Sequence, residues 1–252
     1  MEDIGNDQTI ENAGCIGEPI ESRSTIRKGI KRWSVQMIVS LLIFGALLFL
    51  IAGKWLWIAG WVYLAMNAVT QLLSAFVLIP RQGGMLAERS KVHEDTKDWD
   101  RVLAPAITIV GTLAVLAIAA LDVRLGWSPD FPAGWQGLGV AFAFASQMFV
   151  LWAMASNSFF STMVRIQTDR GHVVTQGGPY RYIRHPGYAG ALVYTLLLPI
   201  VLGSWWTFIP ALITILLIII RTRLEDQTLQ AELPGYKEYM ARVKYRLVPG
   251  IW

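Results

Sequence analysis

The sequence is poor in the residues that build metal centres and disulfide frameworks. It has one cysteine, Cys15, and three histidines, at positions 93, 172 and 185. A single thiol cannot form an intrachain disulfide or a thiolate cluster, and the histidines lack HExxH spacing, so we expect no metal. GxGxxG, P-loop and GxSxG patterns are also missing, which argues against a Rossmann domain, a P-loop nucleotide site and a nucleophile elbow.

Charge is scarce as well. Charged residues make up 16% of the 252 positions, hydrophobic residues 54%, and the mean hydropathy is +0.44. A soluble domain carries about 25% charged residues. The charges are bunched between long apolar runs, which predicts an all-α, polytopic integral membrane protein. Basic residues flank these runs instead of forming a stripe with interleaved aromatics, so we expect no nucleic-acid partner.

Four apolar stretches reach the ~20 residues that a membrane-crossing helix needs. They lie at about 34–53, 55–79, 102–122 and 133–156. A longer run, 187–220, is broken by Pro199 and Gly203, and we expect two short or tilted helices there, at about 187–202 and 205–221. The sequence therefore predicts about six transmembrane helices.

The distribution of Lys and Arg predicts the orientation. Twenty of the 22 fall in four segments that six crossings place on one side; only Lys54 and Arg124 fall on the other. Because cytoplasmic loops are enriched in Lys and Arg, both termini are expected in the cytoplasm.

The pattern suggests three parts. Residues 1–32 are expected to be a disordered cytoplasmic tail, 33–156 four helices with their loops, and 157–252 a catalytic region that includes the last two helices and caps the cytoplasmic side. The connector 81–103, with five acids and five bases, is interpreted as a solvated amphipathic link.

The stretch GGPYRYIRHPGYAG carries cations to the edge of an apolar run. Pro186 suits the first position of a helix, which places Arg184 and His185 at the positive helix terminus. Such a group fits an anion bound at the helix end. It also fits a basic anchor at the lipid headgroups, and the residues alone leave both interpretations open.

Farther along, Arg221 and Glu225 are four residues apart on the last predicted membrane helix, which we expect to continue into the cytoplasm. This spacing puts both side chains on one face. They are interpreted either as a structural ion pair or as charged groups at the mouth of a membrane-facing pocket.

These segments closely resemble the isoprenylcysteine carboxyl methyltransferase family and its phospholipid methyltransferase relatives. The resemblance rests on GHVVTQGGPYRYIRHPGY, on ED followed by three residues and Leu229, on GYKEYMARV and on RLVP, and covers about the last 90 residues. Relatives often have two glutamates where this chain has Glu225 and Asp226. The resemblance implies an integral-membrane enzyme that transfers a methyl group from S-adenosylmethionine.

The resemblance also implies roles for individual residues. Glu225 would hold the cofactor and Arg221 would face the methyl acceptor, and both are the expected catalytic residues. Arg184 and His185 have the chemistry to bind the cofactor carboxylate. The full set of expected cofactor-binding residues is Gln167, His172, Val173, Val174, Thr175, Tyr180, Arg184, His185, Pro186, Gly187, Tyr188 and Glu225.

The expected acceptor is lipophilic, enters from the bilayer among membrane lipids, and is foremost an isoprenylcysteine-type carboxylate. A phospholipid amine or a small thiol is the alternative, and would need a base such as Glu225 or His185. An NADPH-dependent enzyme like the sterol reductases shares RHPxY and a tyrosine-rich tail. A transporter or scaffold is a further alternative, although its charges would lie nearer the bilayer midplane.

Overall fold

The computed structural model describes residues 23–91 and 93–252, and within them the chain is helical, with no strand. Eight α-helices follow one another: α1 Arg23–Ala52, α2 Ile58–Arg89, α3 Asp98–Pro105, α4 Thr112–Leu125, α5 Ala133–Ala155, α6 Pro186–Leu202, α7 Phe208–Glu232 and α8 Tyr236–Arg242. A π-helix, Ala106–Gly111, joins α3 to α4. Short 3-10 turns lie at Thr168–Arg170 and Gly178–Arg181. The prediction of an all-α fold is confirmed.

Four of these helices are long and apolar enough to cross a membrane: Arg23–Ala52, Ile58–Arg89, the continuous rod Asp98–Leu125, and Ala133–Ala155. They coincide with the four stretches that the sequence predicts. The first two form a tight hairpin because Gly53 adopts a φ of +63°, a left-handed conformation that glycine adopts without strain. The chain is therefore an integral membrane protein.

The predicted last pair of membrane helices corresponds to α6, with 17 residues, and α7, with 25 residues. Helix α6 begins at Pro186, as predicted, and ends at Gly203, whose φ is +70°. Helix α7 continues to Glu232, well past its apolar part, which confirms the predicted extension. That α6 and α7 cross the bilayer stays a prediction.

Two apolar clusters hold the helices together. The larger packs small residues such as Ala119, Ala143 and Ala211 among leucines and valines of α1, α4 and α6. The second joins α1, α2 and α5 around Trp33, Leu78 and Leu151. Small residues let helices approach closely where the membrane offers no hydrophobic driving force between them.

The boundary predicted for the N-terminal tail differs from the structure. Residues 1–22 lie outside the described residues, but 23–32, which the prediction assigned to the same tail, are the first turns of α1. Ile26 and Ile30 are near Gly83 of α2, where a Cβ would stand 3.3–3.4 Å from their side chains. The first turns of α1, which precede its long apolar part, therefore pack against α2.

The connector 81–103 is not a solvated link, and that interpretation is wrong. Helix α2 runs through its first part to Arg89 and buries Met85, Leu86 and Glu88. At the other end, Asp100 on α3 is fully buried. Three acidic residues of the connector, Glu88, Asp95 and Asp100, are instead paired with Arg165 or Arg221 of the second half of the chain.

Candidate functional site

A cavity of about 560 Å³ lies where α2 ends and α6 begins. Its walls come from the end of α2, the junction of α3 with the π-helix, the loop between α5 and α6, and the facing sides of α6 and α7. The predicted site residues on its wall are His172, Val173, Val174, Thr175, Tyr180, Arg184, His185, Gly187, Tyr188, Arg221 and Glu225. Its volume is in the range of small-molecule sites.

Tyr188 and Glu225 connect α6 to α7 across this cavity. The Tyr188 hydroxyl donates a hydrogen bond of 2.5 Å to Glu225 Oε2, and both side chains are half-buried. The Tyr188 ring also stacks near His185, with 5.9 Å between ring centroids. Among the described residues, no Lys, Arg or His forms an ion pair with Glu225. Its carboxylate is therefore available to a cationic or hydroxyl-bearing ligand.

Asp226, the next residue, is the centre of a buried ion network that sequence reasoning left without a role. Arg184 binds it through Nε at 2.8 Å and Nη2 at 3.1 Å, and His185 Nε2 lies 3.0 Å from Oδ1. Tyr236 donates to Oδ1 at 2.8 Å, and Arg246 to Oδ2 at 2.8 Å. The side chain is 1% exposed.

The surroundings of Asp226 favour its charged form. Burial by itself would raise the pKa of this carboxyl, but hydrogen bonds from His185 and Arg184 hold the pKa well below its usual range. Asp226 thus stays ionised and fastens residues 184–188, the RHPGY turn, and the C-terminal tail to α7. The short Asp226 side chain reaches all four partners.

Because of this network, the cations at the start of α6 already have a carboxylate partner within the protein. Besides its bonds to Asp226, Arg184 donates through Nη1 to the carbonyls of Val243 and Lys244, at 2.9 and 2.8 Å. The anion next to Arg184 and His185 is therefore the protein's own. Both residues border the cavity, and direct binding of a cofactor carboxylate by them stays a prediction.

Arg221 and Glu225 both reach the cavity wall, as their spacing predicts. Arg221 is 5% exposed and forms a two-pronged ion pair with Asp100, with Nε to Oδ1 at 2.7 Å and Nη2 to Oδ2 at 2.9 Å. Its Nη2 also donates to the Thr162 carbonyl at 2.7 Å, and its guanidinium lies 5.4 Å from the centroid of the Tyr188 ring. Arg221 pairs with Asp100 rather than with Glu225.

The loop between α5 and α6 forms an aromatic wall. His172 stacks on Phe159, with 4.6 Å between ring centroids. Burial and the nearby cations Arg165 and Arg170 lower the pKa of His172 to about 4. Its Nδ1 accepts a hydrogen bond of 3.3 Å from the backbone N–H of Gln167, as a neutral imidazole can. This wall is therefore uncharged at neutral pH.

Asn157 organises the other side of this loop. Its Nδ2 donates to the Tyr180 hydroxyl at 3.1 Å, and its Oδ1 accepts from Thr175 Oγ1 at 3.0 Å. The Tyr180 carbonyl accepts from the Tyr239 hydroxyl at 2.7 Å, which ties the loop to α8. Tyr180 is thereby fixed with its ring against the cavity.

Two predicted site residues lie behind the wall instead of on it. Gln167 is buried, donates through Nε2 to the Phe159 carbonyl at 2.7 Å, and accepts from Arg170. Pro186 is buried at the first position of α6. Both shape the loop and the helix start that the lining residues use.

Sequence reasoning missed several lining residues from outside the motifs. Asn157 and the run 159–165 come from the loop after α5, and Arg89 comes from the end of α2. Arg165 in that run binds Glu88, Asp95 and Asp169. The available signal was a set of acidic residues in the connector 81–103 and a set of arginines far along the chain.

Within the described residues, the fold and the cavity define an all-helical integral membrane protein with a partly enclosed site, lined by both polar and apolar side chains, where α2 ends and α6 begins. Residues 139–231 match the family model of the isoprenylcysteine carboxyl methyltransferase (ICMT) family. This confirms, over those residues, the resemblance that the motifs predict, and it indicates a membrane methyltransferase. The matched stretch spans α5, the aromatic loop, α6 and α7 up to Ala231.

A curated relative is the uncharacterized protein YpbQ of Bacillus subtilis (strain 168). It is 24% identical to this chain over 165 residues, which is 63% of this chain and 95% of the relative. Its name assigns it no activity.

Proposed function

We propose that this protein transfers a methyl group from S-adenosylmethionine to a lipophilic acceptor, foremost an isoprenylcysteine-type carboxylate, that enters from the bilayer. The observation that carries the proposal is the hydrogen bond between Tyr188 and Glu225 inside one cavity. It brings the RHPGY turn and the α7 carboxylate, two separate motifs of the matched family, to the same small-molecule space.

The residues on the wall suit this cofactor. S-adenosylmethionine carries an ammonium, a sulfonium, ribose hydroxyls and a flat adenine. Glu225 offers an unpaired negative charge to the ammonium or the hydroxyls. Tyr180 and Tyr188 offer aromatic faces to the adenine or the sulfonium. The stacked pair His172 and Phe159 is neutral and flat, and forms a second aromatic surface.

The bound cofactor would supply a methyl group that is already activated for transfer to a nucleophile. The protein then has mainly to orient the acceptor, and orientation alone can lower a barrier by about 7 kcal/mol or more. Arg221 is the residue that we assign to the acceptor side, held rigidly by Asp100. A carboxylate acceptor needs no base, whereas an amine or a thiol would use Glu225 or His185.

In this proposal α6 and α7 also cross the bilayer, which gives six crossings with both termini in the cytoplasm. The Lys and Arg distribution supports it, because the cavity is lined by cation-rich segments that share one side under this topology.

The first experiment is a thermal shift of the protein purified in detergent. A ligand that binds only the folded state stabilises it by about 2.7 kcal/mol at 100 times its Kd. We expect S-adenosylmethionine and S-adenosylhomocysteine to raise the Tm, and NADPH to leave it unchanged. Glu225→Gln should lose this shift, whereas Glu238→Gln, an exposed control on α8, should keep it.

The second experiment follows a labelled methyl group. Membranes that contain the protein are incubated with methyl-labelled S-adenosylmethionine and a panel of prenylcysteines, phospholipids and alkyl thiols. We expect label in the prenylcysteine acid and none with the Arg221→Ala variant, which should still show the thermal shift. A Tm that responds to NADPH and not to S-adenosylmethionine would refute the proposal.

A further inference from the structure

Arg89 is a cation on the cavity wall that has no polar partner among residues 23–91 and 93–252. It is the last residue of α2 and lines the cavity. Its Nε and Nη1 atoms are buried and, among the described residues, have no hydrogen-bond partner. Its guanidinium carbon lies 5.2 Å from the centroid of the Phe160 ring, within the range of a cation–π contact. A buried guanidinium without an anion is costly, so a bound anion would stabilise it strongly.

The other cations around the cavity are already satisfied by carboxylates. Arg221 is paired with Asp100, Arg184 with Asp226, and Arg165 with three acidic residues. Arg221 lies near enough to Arg89 for the two to repel each other. Two neighbouring guanidiniums, one paired and one unpaired, leave an excess positive charge at this place.

The surroundings of Arg89 indicate what kind of anion fits. Phe160 packs on the apolar cluster of α1, α2 and α5 around Trp33, Leu78 and Leu151. Met37, Pro105 and Ile109 line the same cavity, and Ile109 is also 52% exposed on the outer surface of the helices. The unpaired charge thus lies among apolar side chains of the membrane helices, whereas Tyr236 and Tyr239 line the cavity from a separate cluster near α8.

We propose that Arg89 binds the oxyanion of the lipophilic acceptor. This inference rests on the proposed function and adds a binding residue outside the matched family segment, 139–231. Arg89 fixes the charged head, and the apolar side chains beside it hold the start of the tail. Glu225 holds the positive charges of the cofactor in the same cavity. The anionic acceptor thus meets an arginine, and the cationic groups of the cofactor meet a carboxylate.

The test compares acids with their neutral counterparts. Binding to the purified protein is measured for N-acetyl-S-prenylcysteine and its methyl ester, and for dodecyl phosphate and dodecanol. In the wild type, we expect at least one acid to bind about tenfold or more tightly than its neutral counterpart. Arg89→Gln should remove that preference by weakening the acid alone, and Arg89→Lys should restore part of it. Arg81→Gln, an exposed position two turns earlier on α2, should behave as the wild type.

The oxyanion at Arg89 can belong either to the acceptor or to the carboxylate of the cofactor. Affinity for S-adenosylhomocysteine, measured by calorimetry on the same variants, distinguishes these two sources. We expect it to stay within about twofold of the wild type in Arg89→Gln. A loss of cofactor affinity as large as the loss of acid affinity would overturn the proposal, because the anion at Arg89 would then be the cofactor carboxylate. Equal weakening of acid and neutral ligands, or no preference for either acid in the wild type, would also overturn it.

The proposed function can fail separately from this inference. A wild type that does not bind S-adenosylhomocysteine would contradict the methyltransferase proposal, while the comparison of acid with neutral lipid would still test Arg89. Arg89→Lys with the Tm of the wild type and a retained acid preference would show that the effect of Arg89→Gln comes from the lost charge and not from misfolding.

Discussion

Two buried ion networks border the same cavity, and they differ in the parts of the chain that they join. In the first, Asp226 gathers Arg184, His185 and Arg246, which all lie within residues 157–252. In the second, acidic residues of α2 and α3 pair with cations of residues 157–252: Glu88 with Arg165, and Asp100 with Arg221.

The two ion networks therefore have different structural roles. The Asp226 network holds the C-terminal region, residues 157–252, together, since it fastens the RHPGY turn and the C-terminal tail to α7. The Asp100 and Glu88 pairs attach this region to the first membrane helices, and so set where Arg221 stands relative to the cavity. Because both networks are buried, the loss of one carboxylate leaves cations without compensation, which is costly.

The largest effect is expected for the substitution Asp226→Asn. The neutral amide would leave Arg184 and Arg246 unpaired, and we expect a loss of about 3–5 kcal/mol of stability, with no Tm response to S-adenosylhomocysteine. Thermal unfolding in detergent measures it. The control is Asp130→Asn, an exposed position. A variant that unfolds like the control would show that Asp226 does not hold residues 157–252 together.

The substitution Asp100→Asn should have the next largest effect, since it removes the carboxylate of Arg221 and an acceptor for the backbone N–H of Val164. We expect a loss of about 3 kcal/mol and a large fall in turnover, but a retained affinity for S-adenosylhomocysteine. In the double variant Asp100→Asn with Arg221→Gln, part of the stability should return, because no unpaired charge remains. Strictly additive losses would argue against a direct pair.

A smaller change tests the link between the two motifs. The Tyr188 hydroxyl binds Glu225, whereas the Tyr182 side chain is 65% exposed. We expect Tyr188→Phe to weaken affinity for S-adenosylhomocysteine about fivefold, the worth of one hydrogen bond of about 1 kcal/mol. Tyr182→Phe should leave the affinity unchanged. Calorimetry measures both, and equal affinities for the two variants would contradict the assignment of Tyr188 to the site.

The smallest effect concerns acid pH and the aromatic wall. His172 has a pKa of about 4 in the folded protein, below its unfolded value of about 6.5. The unfolded chain therefore takes up the proton first, so this contribution to stability is complete above about pH 6.5 and is lost as the pH falls towards 4. We expect the Tm to fall less between pH 7 and pH 5 in His172→Gln than in the wild type. Parallel curves would refute this.

The sequence was sufficient for the parts of the molecule that local rules determine. Apolar length predicted the four membrane helices, and Pro186 predicted the start of α6. Helical spacing placed Arg221 and Glu225 on one face. These features depend on neighbours within a few residues, so no distant contact can move them far.

Features that depend on distant partners were not predictable in this way. The charges of 81–103 suggested a solvated link because their buried ion-pair partners are distant in the sequence. Arg165, which pairs with Glu88, and Arg221, which pairs with Asp100, lie 77 and 121 residues farther along the chain. The role of Asp226 likewise needs Arg246 and Tyr236 from the tail. Arg89 carries no motif at all, and only its unpaired position on the cavity wall distinguishes it from an ordinary helix-terminal arginine.

The π-helix between α3 and α4 changes the directions in which side chains point along the continuous rod Asp98–Leu125. A π turn accommodates an additional residue, and one residue corresponds to about 100° of rotation around an α-helix. The faces before and after Ala106–Gly111 are therefore offset from those of an uninterrupted helix. This offset lets α4 direct Val115 and Ala119 into the apolar cluster while α3 directs Asp100 at Arg221. One rod thus serves two differently oriented neighbours.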